Sequence, residues 1–319
     1  MRKIDFSPDM APLMPCVATV GFFDGVHLGH CHVIAQVVEE ARRRGVEATV
    51  VTFAQHPRQV VDSNFIPQLL TTNEEKIVAL AHTGADNCVV INFTQEIANL
   101  SAHDFMKQVL AEKLRAECLV TGYDNRFGHN REDGFEQYVA YGKEIGISVM
   151  QATPLTISDI TVSSSAIRRL IQEGDVETAA KCLGRPYLIV GHVVEGFQQG
   201  RRLGFPTANI CPDNASKLLP ATGVYAAKVR MEESMAMKRA VVNIGVRPTF
   251  HGHTMSIEAH IINYDGNLYG RRLLVTLTKK LRDERKFNST GELVAQMRQD
   301  VRVANSIFDK EISDNEHTD

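Results

Sequence analysis

The sequence predicts an α/β protein with two domains, in which a parallel sheet with helices on both faces is followed by an antiparallel β-barrel and a closing helix. Three observations support this fold class. The chain has 319 residues, which is long for one hydrophobic core. Up to about residue 152, short apolar runs alternate with amphipathic segments, as in repeated βα units. From Tyr187 onward, strand-like runs follow one another with only turns between them, which is typical of an antiparallel barrel.

The individual elements of the first half follow from periodicity and capping signals. We expect strands over Cys16–Val20, 46–53, 88–93, 118–121 and 147–151. Thr72 and Glu75 form a candidate capping box for a helix that reaches Gly84. Further helices are expected over 101–113, 135–145, 163–173 and 175–184. Since ligands bind at the carboxyl ends of parallel strands, Gly21, Phe53 and Gly122 mark the expected binding edge of the sheet.

The second half is expected to contain strands over 188–194, 224–230, 239–244, 257–262 and 273–281, and then an amphipathic helix over 290–308. The acidic, polar segment after Glu311 predicts a disordered tail. We place the domain boundary at Gly184, which gives domains over residues 1–184 and 185–310 and a tail over 311–319.

The composition is that of an ordinary globular protein. The hydrophobic fraction is 44%, the charged fraction is 23%, and the net charge of -3 disfavours a chain-wide nucleic-acid-binding surface. No apolar run approaches the roughly 18 residues that a membrane helix needs, and no apolar segment follows the charged N-terminus. The six cysteines are scattered without a C-x-x-C pair, which predicts reduced thiols. We therefore expect a cytoplasmic protein without a membrane or nucleic-acid partner.

The segment GFFDGVHLGH at residues 21–30 joins the first strand to the first helix. His27 and His30 lie in the first helical turn and share one face, where unpaired backbone N–H groups and the helix dipole favour phosphate. A zinc site is a weaker alternative, because no cysteine or carboxylate lies at the usual spacing. A pair of exposed histidines at a helix start is the structural alternative.

Two other stretches carry polar groups at suitable places. The run SSSAIRR at 163–169 combines hydroxyls and backbone donors at a helix start with arginines one turn later, which suits an anion. An ordinary helix cap with a solvated basic face is the alternative. The loop GYDNRFG at 122–128 follows a strand and holds an acid, a base and aromatic residues, although a surface turn would look similar.

In the second half, the segment GRRLGFPTAN at 200–209 offers glycines for close backbone approach, arginines for phosphate, and the oxygens of Thr207 and Asn209 for a hard cation. A hairpin loop that enters a strand is the structural alternative. The strand IEAHI at 257–261 places Glu258 and His260 on one face. An exposed strand glutamate is the usual explanation for such a residue.

Together these motifs resemble the bacterial bifunctional riboflavin kinase/FAD synthetase family, and the resemblance covers nearly the whole chain from Gly21 to Phe308. The H-x-G-H signature is shared with the wider nucleotidylyltransferase superfamily, so it indicates chemistry and not substrate. The longer runs at 21–30, 122–128 and 163–168 are more specific, and residues 200–209 match the family's G-R-x-x-G-x-P-T-A-N motif at every position.

For the first half, the resemblance implies a Rossmann-like nucleotidylyltransferase domain that transfers an adenylyl group from ATP to FMN, giving FAD and pyrophosphate. His27, His30 and Arg168 would act on the phosphates, and Ser164 would belong to a flexible segment that closes on ATP. No general base is required, since the FMN phosphate is already ionised near neutral pH. The implied ATP-binding residues are Gly21, Phe22, Asp24, His27, His30, Asp124, Phe127, Ser163, Ser164 and Arg168.

For the second half, the resemblance implies a riboflavin kinase barrel that uses ATP and releases ADP and FMN. Glu258 would be the general base for the ribityl hydroxyl, and Thr207 and Asn209 would hold the ATP-bound Mg²⁺. The implied ATP- and flavin-binding residues are Gly200, Arg201, Gly204, Pro206, Thr207, Asn209, Asn243, Arg247, Tyr269 and Arg282. No tightly bound prosthetic group is implied, and a weak homo-oligomer is left open.

The sequence departs from the family at Gln55, where proline is common, and at Asn125, where an aromatic residue or histidine is frequent. Both departures put the flavin fit in question. Two rival hypotheses are a different H-x-G-H nucleotidylyltransferase and a flavin- or nucleotide-binding regulatory protein with decayed sites. The P-T-A-N segment disfavours the first rival, and the intact polar residues of both sites disfavour the second.

Overall fold

The structure is a computed structural model that describes residues 1–62, 64–123, 125–129, 132–157, 159–196, 199–249 and 252–316. The chain divides into two compact units, with the division between Ala166 and Ile167. Among the described residues, no helix combines the length and the apolar composition that crossing a bilayer requires.

The first unit is built on a six-stranded parallel sheet. Its strands are β1 (Arg2–Asp5), β2 (Cys16–Val20), β3 (Glu47–Phe53), β4 (Asn87–Ile91), β5 (Ala116–Thr121) and β6 (Ser148–Gln151), in the spatial order β1-β4-β3-β2-β5-β6. The chain runs from β2 outward to β4 and then returns to β5 on the other side of β2. The carboxyl end of β2 therefore lies at the point where the strand order reverses, which is where open α/β sheets bind ligands.

The helices of the first unit fill the crossovers between the parallel strands. They are α1 (Leu28–Arg44), α2 (Pro57–Val61), α3 (Asn73–Ala81), α4 (Gln95–Asn99), α5 (Ala102–Asp104) and α6 (Phe135–Ile145), and a short antiparallel pair, β7 (Thr156–Ile157) and β8 (Ile160–Thr161), follows the sheet. Helix α1 begins at the cap residue His27 and ends at Gly45, whose φ of 71° is left-handed. Strands β2, β3 and β4 are buried along nearly their whole length, which explains their apolar runs in the sequence.

The second unit is a closed antiparallel barrel. After helices α7 (Ser164–Glu173) and α8 (Val176–Leu183), the elements are β9 (Tyr187–Val194), α9 (Gln199–Arg202), β10 (Ala208–Pro212), β11 (Gly223–Met231), β12 (Met237–Thr249), β13 (Gly252–Ile261), β14 (Arg272–Arg282) and α10 (Thr290–Glu316). The strand order around the barrel is β10-β13-β12-β11-β14-β9. Ala304 and Phe308 of α10 are buried against Ala226 of β11, so the last helix closes over the outside of the barrel.

The predicted fold class is confirmed in both units, and several elements differ in detail. Strand β1 was not predicted, because RKID is a short charged edge strand without an apolar run. Strand β10 was not predicted as a strand either, because glycine and proline in the preceding loop obscure its alternation. The helix expected over 101–113 is corrected to the single turn α5 and a π-helix over Phe105–Ala111. Strand β12 extends beyond the predicted residue 244 to Thr249.

The disordered tail predicted over 311–319 is corrected in part. Helix α10 continues to Glu316, and residues 317–319 lie outside the described part of the chain. An ion pair between Lys228 Nζ of β11 and Glu311 Oε2 at 2.7 Å ties this stretch of the helix to the barrel. The sequence alone does not show that pair, because Lys228 is 83 residues away.

Candidate active sites

The loop between β2 and α1 has an unusual backbone at the switch point of the sheet. Three of its residues have positive φ angles: Phe23 (53°), Gly25 (86°) and Val26 (39°). Positive φ is costly for a β-branched residue such as Val26, and strain of this kind is concentrated at functional sites. The loop therefore needs support from its neighbours to hold this shape.

Asp24 supplies much of that support. Its carboxylate is 3% exposed and accepts hydrogen bonds from Leu70 N at 3.0 Å, Thr71 N at 2.9 Å and Thr71 Oγ1 at 3.2 Å. Gly25 N in turn donates to Thr71 Oγ1 at 2.9 Å. The structure thus places Asp24, an expected ATP-binding residue, as an anchor that joins the loop to the segment before α3.

The two histidines are packed together at the start of α1. His27 caps the helix, because its Nδ1 accepts from His30 N at 3.2 Å, and its side chain is largely buried. The two rings stack with centroids 3.5 Å apart, and the His30 ring meets the edge of Phe23 at 5.1 Å. Since Nδ1 of His27 accepts a hydrogen bond, the proton of the neutral ring lies on Nε2, which is then a donor.

Gly29 explains why glycine stands between these histidines. A Cβ at this position would lie 2.9 Å from Val162 O and 3.1 Å from His27 Nδ1. Any side chain would therefore push apart the histidine ring and the backbone that precedes α7. The glycine of the H-x-G-H signature is a packing requirement for the orientation of His27.

Ser164 links the start of α7 to the same loop, because its hydroxyl donates to Asp24 O at 2.9 Å. Ser163 caps the helix by accepting from Ala166 N at 3.2 Å. Arg168 follows one turn after Ser164 on α7 and belongs to the second compact unit, so it is described only on its own helix. Ser164 therefore contacts the loop of residues 21–27, and Ser163 precedes Ser164 in the chain.

The loop after β5 contributes differently from expectation. Asn125 donates from Nδ2 to Val20 O, the last carbonyl of β2, so this departure from the family pattern supports the same edge of the sheet. Phe127 is 9% exposed and stacks on Tyr138 with centroids 4.3 Å apart, so the structure places it in the core. Asp124 lies outside the described residues.

Gly21 and Phe22 complete the expected residues of this site. Gly21 extends the pairing of β2, because its N–H donates to Val51 O at 3.0 Å. Phe22 O accepts from Thr52 Oγ1 at 3.1 Å. The Phe22 ring lies 4.3 Å below Nζ of Lys76, a buried residue of α3 that sequence reasoning did not single out. The sequence pattern could have identified it, because Lys76 lies four residues before Leu80 and so shares the buried face of α3. A lysine in such a position is rarely fully buried unless it is paired.

In the barrel, strand register brings three predicted site residues into one row. Glu258 of β13 is paired directly with Asn209 of β10 on one side and with Asn243 of β12 on the other. Directly opposed residues of antiparallel strands point to the same face, so the three side chains are adjacent. Thr207, just before β10, donates from Oγ1 to Glu258 Oε2 at 3.4 Å. The predicted base and both predicted metal ligands thus meet at one place.

A pocket of about 300 Å³ opens over Glu258 and Asn243 of this row. Besides Thr207, Asn243 and Glu258, its lining includes Gly200, Phe205 and Arg282. The guanidinium of Arg282 is held by Asp300 of α10, with Nη2 2.9 Å from Oδ2, and Asp300 is 4% exposed. Sequence reasoning missed Asp300, because nothing in the pattern of α10 shows which of its acidic residues faces the barrel.

The segment before β10 owes its shape to glycine at two positions. A Cβ at Gly200 would lie 2.3 Å from Phe205 O, and Gly204 has a φ of 80°. Pro206 O accepts from His260 Nδ1 at 2.9 Å, which fixes the segment against β13. The P-T-A-N stretch is therefore held next to Glu258 from both sides.

Three other residues expected to bind the kinase substrates are not among the residues that line this pocket or are not described at the side-chain level. Tyr269 lies in the turn before β14, is 46% exposed, and is not among the residues that line the pocket. The side chains of Arg201 and Arg247 lie outside what the structure describes.

The oxygen donors in this pocket and on the strand next to it fit a hard divalent cation bound to phosphate. The hydroxyl of Thr207, the amide of Asn209 and the carboxylate of Glu258 are oxygen donors of the type that Mg²⁺ prefers. Within the described ranges there is no cluster of three histidine, cysteine or acidic side chains that could hold a metal by itself.

These features are typical of a nucleotide-using transferase. A helix start in the parallel α/β unit suits phosphate, and a pocket of the barrel carries an acidic side chain. Residues 10–166 match the family model of FAD synthetase, and residues 183–308 match that of riboflavin kinase. The chain is similar to the bifunctional riboflavin kinase/FMN adenylyltransferases of Escherichia coli K12, at 35% identity over 93% of this chain and 94% of that protein, and of Bacillus subtilis 168, at 36% over 92% of each.

The chain therefore belongs to the bifunctional riboflavin kinase/FMN adenylyltransferase family. A crystal structure from Streptococcus pneumoniae, titled a macrolide-efflux protein, has the same fold with a TM-score of 0.85 and 27% identity over 95% of this chain and 98% of that one. Each family model covers one of the two sites described above. The FAD synthetase model includes His27 and His30, and the riboflavin kinase model includes Glu258.

Proposed function

We propose that this chain phosphorylates riboflavin to FMN in its barrel and adenylylates FMN to FAD in its α/β unit, with ATP as the donor in both steps. Family membership supports both activities. The observation that carries the proposal is the coexistence of two complete polar sites in one chain. One is the stacked His27–His30 pair at the start of α1, and the other is the Asn209–Glu258–Asn243 row in the barrel.

In the kinase step, Glu258 accepts the proton of the ribityl hydroxyl as the oxygen attacks the γ-phosphorus of ATP. The new P–O bond forms while the bond to the β-phosphate oxygen breaks, and ADP leaves. An alcohol gains from a base because its proton must depart during the attack. Thr207 and Asn209 would hold the nucleotide-bound Mg²⁺, which neutralises phosphate charge when it is present.

In the adenylyl transfer step, an FMN phosphate oxygen attacks the α-phosphorus of ATP, and pyrophosphate leaves with its bonding electrons. The attacking phosphate is already ionised, so the site needs positioning and charge stabilisation and no base. Nε2–H of His27 is a donor at the helix start, where backbone N–H groups and the helix dipole also favour negative charge. Ser164 would close the site from the α7 side, and Arg168 would add positive charge.

The proposal also includes a cation, a cellular location and a set of small-molecule partners. Magnesium is the proposed cation, the cytoplasm the proposed location, and riboflavin, FMN, FAD, ATP, ADP and pyrophosphate the proposed small-molecule partners. The cysteines of the chain are free, which agrees with a reducing compartment. We place the functional boundary at Gly184, after the helices that follow the adenylyltransferase sheet, and propose no membrane or nucleic-acid partner.

The deciding experiment incubates the purified full chain with riboflavin, ATP and MgCl₂ and separates the flavins by chromatography. Both FMN and FAD are expected. A second reaction that starts from FMN tests the adenylyl transfer alone. Absence of both products from a folded protein rejects the proposal, and formation of an adenylylated product from a different coenzyme precursor would favour another nucleotidylyltransferase.

A further inference from the structure

Lys76 is a buried lysine that the adenylyl transfer chemistry does not use directly. It lies on α3 with 2% of its surface exposed. Its Nζ donates to Phe53 O, the last carbonyl of β3, at 2.6 Å and lies 4.3 Å from the centre of the Phe22 ring. Burying an ammonium group carries a desolvation cost, which a carbonyl acceptor and an aromatic face offset only in part. We therefore expect a role of this arrangement in the neighbouring site.

Lys76 contacts two neighbouring parts of the same sheet edge, which are the end of β3 and the loop after β2. Phe53 closes β3, Phe22 opens the loop after β2, and Asp24 follows two residues later. Asp24 adds an attraction to the ammonium group, and its carboxylate is held by Thr71, just before the helix that carries Lys76. The ammonium therefore closes a ring of contacts around the strained segment that presents His27.

We propose that Lys76 is a positioning residue for adenylyl transfer, whose ammonium holds the residue 21–27 loop in the geometry that places His27 and the helix start against the ATP phosphates. Its own amine faces Phe53 O and Phe22, so it acts through the loop and not on the nucleotide. The inference rests on the proposed adenylyl transfer. It adds the element that keeps the strained loop of that site in place.

The protonation of this amine gives the inference a distinctive readout. Burial lowers the pKa of Lys76 to about 8, while the negative charge of Asp24 opposes the shift. Burial raises the pKa of the Cys88 thiol of β4 to about 11, so that neighbour stays neutral through pH 10. Glu75 of the same helix accepts from Thr72 N, and His56 meets the edge of the Phe22 ring.

The protonation of Lys76 should make adenylyl transfer depend on pH. Below about pH 8 the amine is protonated and attracts Phe22 and Asp24. As the pH rises above 8 the proton is lost, and the attraction of the cation for both groups is lost with it. Adenylyl transfer should therefore decline above pH 8. The kinase reaction in the same polypeptide depends on the barrel and should not share that decline.

The test compares the parent protein with the variants Lys76→Met and Lys143→Met. Lys143 is an exposed lysine of α6, so its variant serves as the matched control. FAD formation from FMN and FMN formation from riboflavin are each measured between pH 6.5 and 9.5. We expect Lys76→Met to lower kcat/KM for adenylyl transfer roughly tenfold to hundredfold, as a displaced site does. It should keep the kinase rate and lose the decline above pH 8, and Lys143→Met should match the parent protein.

Two results would overturn the inference: full adenylyl transfer in Lys76→Met, or a parent profile without a decline near pH 8 that is specific to this reaction. If Lys76→Met does not fold, Lys76→Gln, which keeps a hydrogen-bond donor toward Phe53 O but not the charge, replaces it in the same comparison. A parent protein that makes no FAD from FMN at any pH would instead reject the proposed function, so the two failures are distinguishable.

Discussion

Replacing Glu258 with glutamine is the sharpest single change in the barrel. The substitution preserves size and leaves an amide oxygen able to accept from Thr207 Oγ1, as the carboxylate does now at 3.4 Å. The position lies in the middle of β13 and is paired on both sides, so the backbone should not move. What is lost is the ability to take the hydroxyl proton of riboflavin.

The expected loss follows from the size of general-base effects, which is typically 10² to 10⁴ in rate. At about 1.36 kcal/mol per tenfold, this raises the barrier by about 3 to 5 kcal/mol. The measurement is kcat for FMN formation from riboflavin, with flavins separated by chromatography. FAD formation from added FMN should stay within a factor of two, because His27 and the α/β unit are unchanged.

Glu233→Gln is the matched control, since this residue of the β11–β12 turn is 61% exposed and paired only loosely with Arg271 at 3.7 Å. It should leave both activities intact. A kinase rate in Glu258→Gln within threefold of the parent protein would refute the assignment of Glu258 as the base. An equal loss of both activities would instead indicate that the substitution disturbs the whole chain.

Three further changes test the first unit. His27→Asn keeps a side chain that can cap α1 but removes the Nε2 donor, so adenylyl transfer should fall at least about a hundredfold while FMN still forms; an unchanged rate would contradict the phosphate role of His27. Gly29→Ala should also lower FAD formation selectively, because its Cβ would meet Val162 O at 2.9 Å, whereas Gly291→Ala, whose Cβ would meet nothing closer than Ser289 Oγ at 3.8 Å, should spare FAD formation. Hydrogen bonds from the arginines at positions 43 and 44 lower the pKa of Glu40 to about 2 from 4.5, so Glu40 stabilises the fold above pH 4.5 and that stability is lost as the pH falls toward 2. Glu40→Gln should therefore cost about 1 kcal/mol in urea unfolding at pH 7 and progressively less between pH 4.5 and 2, and a cost that does not change with pH would contradict this.

The sequence predicted the two folds because each has its own periodicity. Alternating βα units and uninterrupted strands remain visible in one chain, and His27 and Glu258 stand in recognisable contexts. The elements that the sequence did not predict correctly are short or irregular. Strand β10 follows a loop rich in glycine, and the π-helix over Phe105–Ala111 has the same apolar pattern as an ordinary helix.

The supporting residues of both sites were harder to predict than the residues they support. Asp300 holds Arg282, and Lys76 holds Phe53 O, across sequence separations of 18 and 23 residues. Such contacts depend on which helix face meets which strand end, and a single sequence carries no direct record of that. Asp24 illustrates the same limit, because its place in the motif does not reveal that its carboxylate accepts hydrogen bonds from Leu70 N and Thr71 N.

The central claim is that two separate sites in one chain act in succession. The most direct measurement mixes His27→Asn with Glu258→Gln, supplies riboflavin, ATP and MgCl₂, and follows FAD. Alone, the first variant should stop at FMN and the second should leave riboflavin unchanged. The mixture should form FAD, because FMN made by one chain is adenylylated by the other. Failure of two folded variants to complement each other, although each retains its own activity when given its own substrate, would contradict the account.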